Sequence, residues 1–252
     1  MRILRAFTVC FSIAAIWLLG ANARADEIRV LSSVGIRAVV EELAPEFERR
    51  TGHDLTFVFD LASALKTKID AGEPFDVAIL TPPLLDDLIA KGTVARDTRS
   101  AIARVGLGLM IRAGAPKPNV SSVDAFKRTL LDASSVSYAP AGASGIAFVA
   151  IIERLGIAAE VAAKAKLAAS GDAVAANVTS GSAEIGVLPV SEILPVAGAE
   201  LGGVFPADVQ TYVVMVAGLA SRTEESAGAQ AFVEFLLAPE NSPVVAAKGM
   251  ER

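Results

Sequence analysis

Hydroxyls and backbone amides, rather than thiols or histidines, are the chemical groups that this sequence gathers. Four short turns each follow an apolar run of strand length and lead into a segment of helical spacing. They are Leu31-Ser32-Ser33-Val34-Gly35, Asp60-Leu61-Ala62-Ser63-Ala64, Tyr138-Ala139-Pro140-Ala141-Gly142-Ala143-Ser144-Gly145 and Pro189-Val190-Ser191-Glu192. Small residues at such a turn let a ligand approach the backbone, and the unpaired amides that begin a helix favour negative charge. Ser33, Ser63 and Ser144 can add hydroxyl donors. Each turn also has a plain structural reading. Ser32 or Ser33 can act as a helix cap alone, and both readings stay open. Asp60 reads as a cap, because a carboxylate beside an anion repels it. Pro189 reads as the start of a helix whose first turn holds Ser191 and Glu192 in solvent.

Covalent and metal chemistry is poorly supplied. Cys10 is the single cysteine and His53 the single histidine. That leaves no Cys–His pair, no His-rich zinc site and no choice of base for a Ser–His–Asp triad. His53 lies between Gly52 and Asp54 and reads as a solvated turn residue. Ser144 lacks the paired glycines of a nucleophile elbow, and no Gly-Lys-Ser/Thr follows it to make a P-loop. Arg37 and Arg112 could face a ligand, but long cations usually lie on the surface. The expectation is no enzyme, no cofactor and no metal.

Residues 1–25 say where the protein works. Arg2 and Arg5 precede an apolar run over 6–19, and Ala23-Arg24-Ala25 precedes Asp26. That order predicts a cleavable secretory signal with cleavage after Ala25 and a periplasmic location; the run is too short for a comfortable membrane span. Cys10 and the single tryptophan, Trp17, leave with it. Residues 26–252 suffice for one large domain or two small lobes. The formal charge of −5 becomes more negative once a leader with three arginines and no acid is removed. An acidic surface argues against a nucleic-acid partner.

The elements that must position the turns alternate. Strands are predicted over 28–31, 55–59 and 77–80. Helices follow at Ile36, Val39, Val40, Leu43 and Phe47, over 62–71, and from Pro82 and Pro83. Arg49, Arg50 and Gly52 mark a helix end, with the glycine able to take positive φ. A longer strand over 103–111 leads to a Pro/Gly loop over 113–118. A second set follows: helix 123–131, strand 136–138, a helix through Phe148 and Ile152, strand 166–168, helix 172–179 and strand 185–188. A β-prone stretch over 209–217 precedes two tail helices over 226–237 and 239–247. Alternation of this kind implies mainly parallel sheets covered by helices. The predicted fold is α/β and two-lobed, with residues 26–110 and 212–252 in lobe 1, 111–211 in lobe 2, and a hinge of two crossings. Small ligands bind between such lobes.

Several stretches together resemble the periplasmic molybdate-binding proteins of ABC transporters, which are type II solute-binding proteins. They are Ile28-Arg29-Val30-Leu31-Ser32-Ser33, Leu43-Ala44-Pro45-Glu46-Phe47, Thr51-Gly52 and Ile69-Asp70-Ala71-Gly72-Glu73-Pro74-Phe75-Asp76-Val77, the last being the most specific. The likeness continues through 144–156, Asp172-Ala173-Val174 and Ile185-Gly186-Val187. It implies an oxyanion site made of two serines at helix starts, amides of the second lobe and a tyrosine. The serine positions align with Gly35 and Ala62, beside Ser32, Ser33 and Ser63. The amide positions align with Ser144 and Val174, and the tyrosine with Pro189. The resemblance implies a monomeric importer subunit that closes on a molybdate- or tungstate-like anion and docks on a membrane permease. A small organic acid is the alternative ligand. An exported serine hydrolase using Ser144 and a sensor module are the rivals.

Overall fold

The computed structural model describes residues 27–223 and 225–252. The predicted signal segment, Cys10, Trp17 and the cleavage position lie outside them. Among the described residues, no helix is long and apolar enough to cross a membrane.

The first half of the chain winds as its apolar pattern dictates. Strand β1 (Glu27–Ser33) leads through a 3-10 turn to α1 (Arg37–Thr51), followed by β2 (Asp54–Asp60), α2 (Ala62–Asp70), β3 (Val77–Leu80) and α3 (Pro82–Ala90). β1 lies between β2 and β3, parallel to both. α1 buries Val39, Val40, Leu43 and Phe47 at helical spacing. It ends where Gly52 takes φ 77°, which only glycine adopts without strain.

β4 (Ser100–Arg112) belongs to two sheets. Residues 100–106 pair antiparallel with β9 (Tyr212–Leu219), which also pairs with β3. Residues 107–112 pair with β7 (Ile185–Pro189) and β8 (Ala199–Val204). The second sheet adds β5 (Val136–Tyr138) and β6 (Ala165–Leu167), parallel to each other, with β5 also parallel to β7. Its helices are α4 (Val123–Asp132), α5 (Ala143–Arg154), α6 (Ala158–Ala162), α7 (Gly171–Thr179) and the short α8 (Val190–Ile193). α9 (Ser226–Leu237), α10 (Ser242–Ala247) and β10 (Met250–Glu251) return to the first sheet, where β10 pairs with β4. The two-lobed α/β architecture is therefore present, with antiparallel crossing strands joining two mainly parallel sets.

At the point where the ladders of β4 change partner, a side chain fills the gap. Gln210 Oε1 accepts from the Leu107 amide at 2.8 Å, and Gln210 Nε2 donates to the Leu107 carbonyl at 3.1 Å. The β9 ladder ends one residue earlier, at Gly106 opposite Tyr212.

Candidate functional site

A small cavity of about 20 Å³ lies between the two sheets. Ser33 and Val34, leaving β1, form part of its wall, with Leu61 and Ala62 at the start of α2. Gly142, Ala143 and Ser144 at the start of α5 face them, with Gly171 opening α7 and Pro189 and Glu192 at the β7–α8 step. Val213 and Met215 of β9 close the floor. Neither α2 nor α5 carries a side-chain cap, their N-caps being Leu61 and Gly142. Their first amides therefore lack intrahelical acceptors and remain available to a ligand. The volume suits about one water molecule, so any larger solute requires the lobes to part.

Three polar contacts join the sides. Ser191 Oγ donates to the Gly35 carbonyl at 2.7 Å, with both residues buried. Arg37 pairs with Asp172 at 3.7 Å. Ser63 Oγ donates to the Ala141 carbonyl at 3.4 Å.

Glu192 is the one ionisable residue on the cavity wall. Its carboxyl lies against Gly171, where any Cβ would collide with Oε2, so glycine there is a condition of this placement. Burial, with the nearby Asp172 charge adding to it and Arg37 opposing, pushes the carboxyl up to about 7. Behind Glu192 lies a second pocket of about 250 Å³, lined by Arg37, Glu41 and Asp172 and sharing Val34 and Glu192 with the cavity. The Arg37 guanidinium sits 4.8 Å from the centre of the Phe59 ring, and its buried Nε has no hydrogen-bond partner among the described residues.

The residues singled out in the sequence separate into groups. Ser33, Ala62, Ser144 and Pro189 lie on the cavity wall, and Ser63 stands at its outer lip bridging to Ala141. Ser32 does not reach the wall: it is fully buried and its Oγ donates to the Ser33 carbonyl at 3.3 Å. Gly35 lies beneath the wall, its Cβ position filled by Met215. Val174 packs in an apolar cluster, and its amide is spent on the Ser170 carbonyl at 3.1 Å.

Several expectations need correction. Asp60 does not cap α2; its carboxylate accepts from the Leu61 amide and from Lys68, at 2.8 and 2.9 Å. Ser191 and Glu192 are not in a solvated helix turn, because α8 is only one turn long and points these residues at the opposite sheet. His53 is partly buried, stacked on Phe47 and packed against Gly228. Arg112 lines a separate pocket with Ser134 and Glu184. Glu192 is the group that sequence reasoning undervalued. Its signal was a lone acid between Val190 and Ile193, just past the carboxyl end of a buried strand, where ligand sites collect.

The family of bacterial extracellular solute-binding proteins matches over residues 28–251. A protein named aconitate isomerase from Pseudomonas sp is 31% identical over 230 residues, spanning 89% of this chain and 87% of that one. The molybdate-binding protein ModA of Azotobacter vinelandii is 26% identical over 240 residues, spanning 92% of each. The solved Azotobacter vinelandii periplasmic molybdate-binding protein superposes with a TM-score of 0.75 at 20% identity, over 89% of this chain and 99% of that one, a likeness of fold.

Proposed function

This chain belongs to the bacterial extracellular solute-binding proteins, and on that premise we propose that it is an importer receptor whose lobes close over a small carboxylic acid. The observation that carries the reading is the make-up of the cavity wall. Apolar side chains and the hydroxyl residues Ser33 and Ser144 surround a single carboxyl group, Glu192, and no cation lines it. A fully ionised tetrahedral oxyanion gains about 1.5–3 kcal/mol from each charge-assisted hydrogen bond. It loses about 4 kcal/mol per unit charge to a carboxylate 4 Å away at an effective dielectric of about 20. One ionised Glu192 therefore offsets roughly two donors. The wall replaces donors as well: Ala62 and Pro189 stand where the resemblance implies a serine and a tyrosine.

A carboxylic acid meets these conditions better. Its carbon skeleton suits the apolar wall. Its acid groups can share a proton with Glu192, use the open amides of α2 and α5, and reach Arg37 once the two pockets merge on opening. The relative named aconitate isomerase supports the same ligand class, since aconitate is a tricarboxylic acid. The relatives named for molybdate keep a molybdate- or tungstate-like oxyanion as the second reading.

The reading extends to the rest of the chain as its sequence suggests. The mature chain begins after Ala25, works as a monomer in the periplasm and, when closed, docks on an ABC permease. The lobes divide as residues 26–110 with 212–252, and 111–211. Binding favours closure because both lobes contact the solute.

A thermal-shift series tests the ligand class. A carboxylate ligand at 100 times its Kd stabilises by about 2.7 kcal/mol, which raises Tm by roughly 5–10 °C for a chain of this size. The expected result is a shift with aconitate or a related polycarboxylate and none with molybdate, tungstate, sulfate or phosphate. The reverse pattern restores the oxyanion.

A further inference from the structure

The cleft cavity holds about one water molecule, but the rim beside it is roomier. A groove of about 550 Å³ runs past Ser63. Pro82, Pro83 and Leu84 at the start of α3 form one wall, Ile146 of α5 faces them, and Tyr212 and Val214 of β9 complete it. No charged residue lines it, and its polar side chains besides the Tyr212 hydroxyl are Ser63, Thr81 and Thr211. Ile146 is 61% exposed and Tyr212 is 42% exposed. One such side chain at a surface means little, but two in the walls of one groove mark a place that something apolar covers.

The helices around the groove are of two kinds. α3 begins with two prolines, which have no N–H, and the next amide, that of Leu84, already donates to the Thr81 carbonyl at 3.1 Å. That wall offers a ligand carbon and no backbone donor. α2 and α5 keep their first amides open, for lack of side-chain caps. They begin at Ala62 and Ala143, which line the groove and the cleft cavity alike, as does Val213. The groove thus combines carbon walls with open backbone donors where it joins the cleft.

We infer that the groove receives the carbon side group of the solute: the acid recognised carries an aryl or branched alkyl substituent, which lies against Pro82, Leu84 and Ile146 while its carboxylates meet the amides of α2 and α5. The inference rests on the carboxylic acid reading of the cleft and narrows it to substituted acids. The groove has the size for this, within the roughly 300–1,000 Å³ of pockets that bury a single small molecule. Its walls also come from both sides of the molecule. α3 and β9 belong with the first sheet and α5 with the second, so whatever fills the groove is gripped only while the two stand together. Occupancy is therefore coupled to closure, as binding of the solute is.

The test is a set of calorimetric titrations of the purified protein with succinate, benzylsuccinate, isobutylsuccinate and aconitate. The two substituted acids carry the same pair of carboxylates as succinate and add only carbon. At least one of them should bind about tenfold or more tightly than succinate, the gain expected from burying such a group, with a more negative heat-capacity change. Ile146→Gln and Tyr212→Gln alter exposed side chains, and each should shrink that preference by about threefold or more. No gain over succinate in either substituted acid, or an undiminished preference in both variants, overturns the inference; succinate or aconitate binding in the same series then leaves the carboxylic acid reading in place. If none of the four acids binds, that reading falls and takes the inference with it.

Discussion

The two rims of the cleft are made of different materials. On one rim α1 meets α7 and α8 through Arg37, Asp172, Ser191 and Glu192, and the shortest bridge is a buried 2.7 Å hydrogen bond. On the other rim α2 and α3 face α5 across an apolar groove of about 550 Å³, with Pro82, Pro83, Ile146 and Tyr212 in its walls. Ile146 is 61% exposed there, and the bridge across is the 3.4 Å bond from Ser63. A short bond between buried groups costs more to break than a long exposed one, because the carbonyl left behind must lose its partner away from water. If the lobes part to admit a solute, as proposed, the polar rim is the latch and the apolar rim the side that yields.

The largest test of this asymmetry is pH. The Glu192 carboxyl stands near 7 with the cleft closed, against an ordinary 4.5. The closed form therefore keeps its proton at a pH where the open form has lost it. Its contribution to closure is full below about 4.5 and disappears as pH rises to about 7, a change of up to about 3 kcal/mol. Small-angle scattering of the ligand-free protein should show a smaller radius of gyration at pH 5 than at pH 8. Glu192→Gln should remain closed at both, and an unchanged pH response in that variant would remove Glu192 from the latch.

Next in size is Ser191→Ala, which leaves the buried Gly35 carbonyl without its donor. Closure should weaken by about 1–3 kcal/mol, read as a rise of roughly 5- to 150-fold in ligand Kd by calorimetry. Smallest is Ser63→Ala on the apolar rim, expected to change the same quantity by less than about 0.5 kcal/mol. Equal losses from the two serines would mean that the rims share the latching evenly.

Much of the architecture was readable from periodicity. The strand-turn-helix steps at 28–51 and 55–71 carry apolar residues at spacings that allow few alternatives, and their ends bear the signals expected of them. β8 escaped notice because Gly202 and Gly203 imitate a loop; the glycines are there because Ile111, Pro118 and Val120 press against the strand. The site was less legible. Ser33, Ala62, Ser144 and Pro189 could be placed at the ends of strands, but whether each faces inward depends on where the opposite sheet lies. Ser32 and Ser33 are adjacent and chemically alike, yet alternation along β1 sends one into the core and the other to the cavity. Glu192 looked like ordinary surface charge because acids after a proline usually are. Only the opposing Gly171, distant in sequence, makes room for it.

The joint at Gln210 has a mechanical consequence. Backbone ladders on either side of Leu107 are stiff against bending, while at Leu107 the amide is held by the Gln210 side chain and the carbonyl by that side chain together with the Phe205 amide. Under the proposed opening, such a linkage would act as a ball-and-socket coupling, since the side chain can turn while both polar groups of Leu107 stay satisfied. Opening and closing of the kind proposed would then leave no unpaired amide at the pivot.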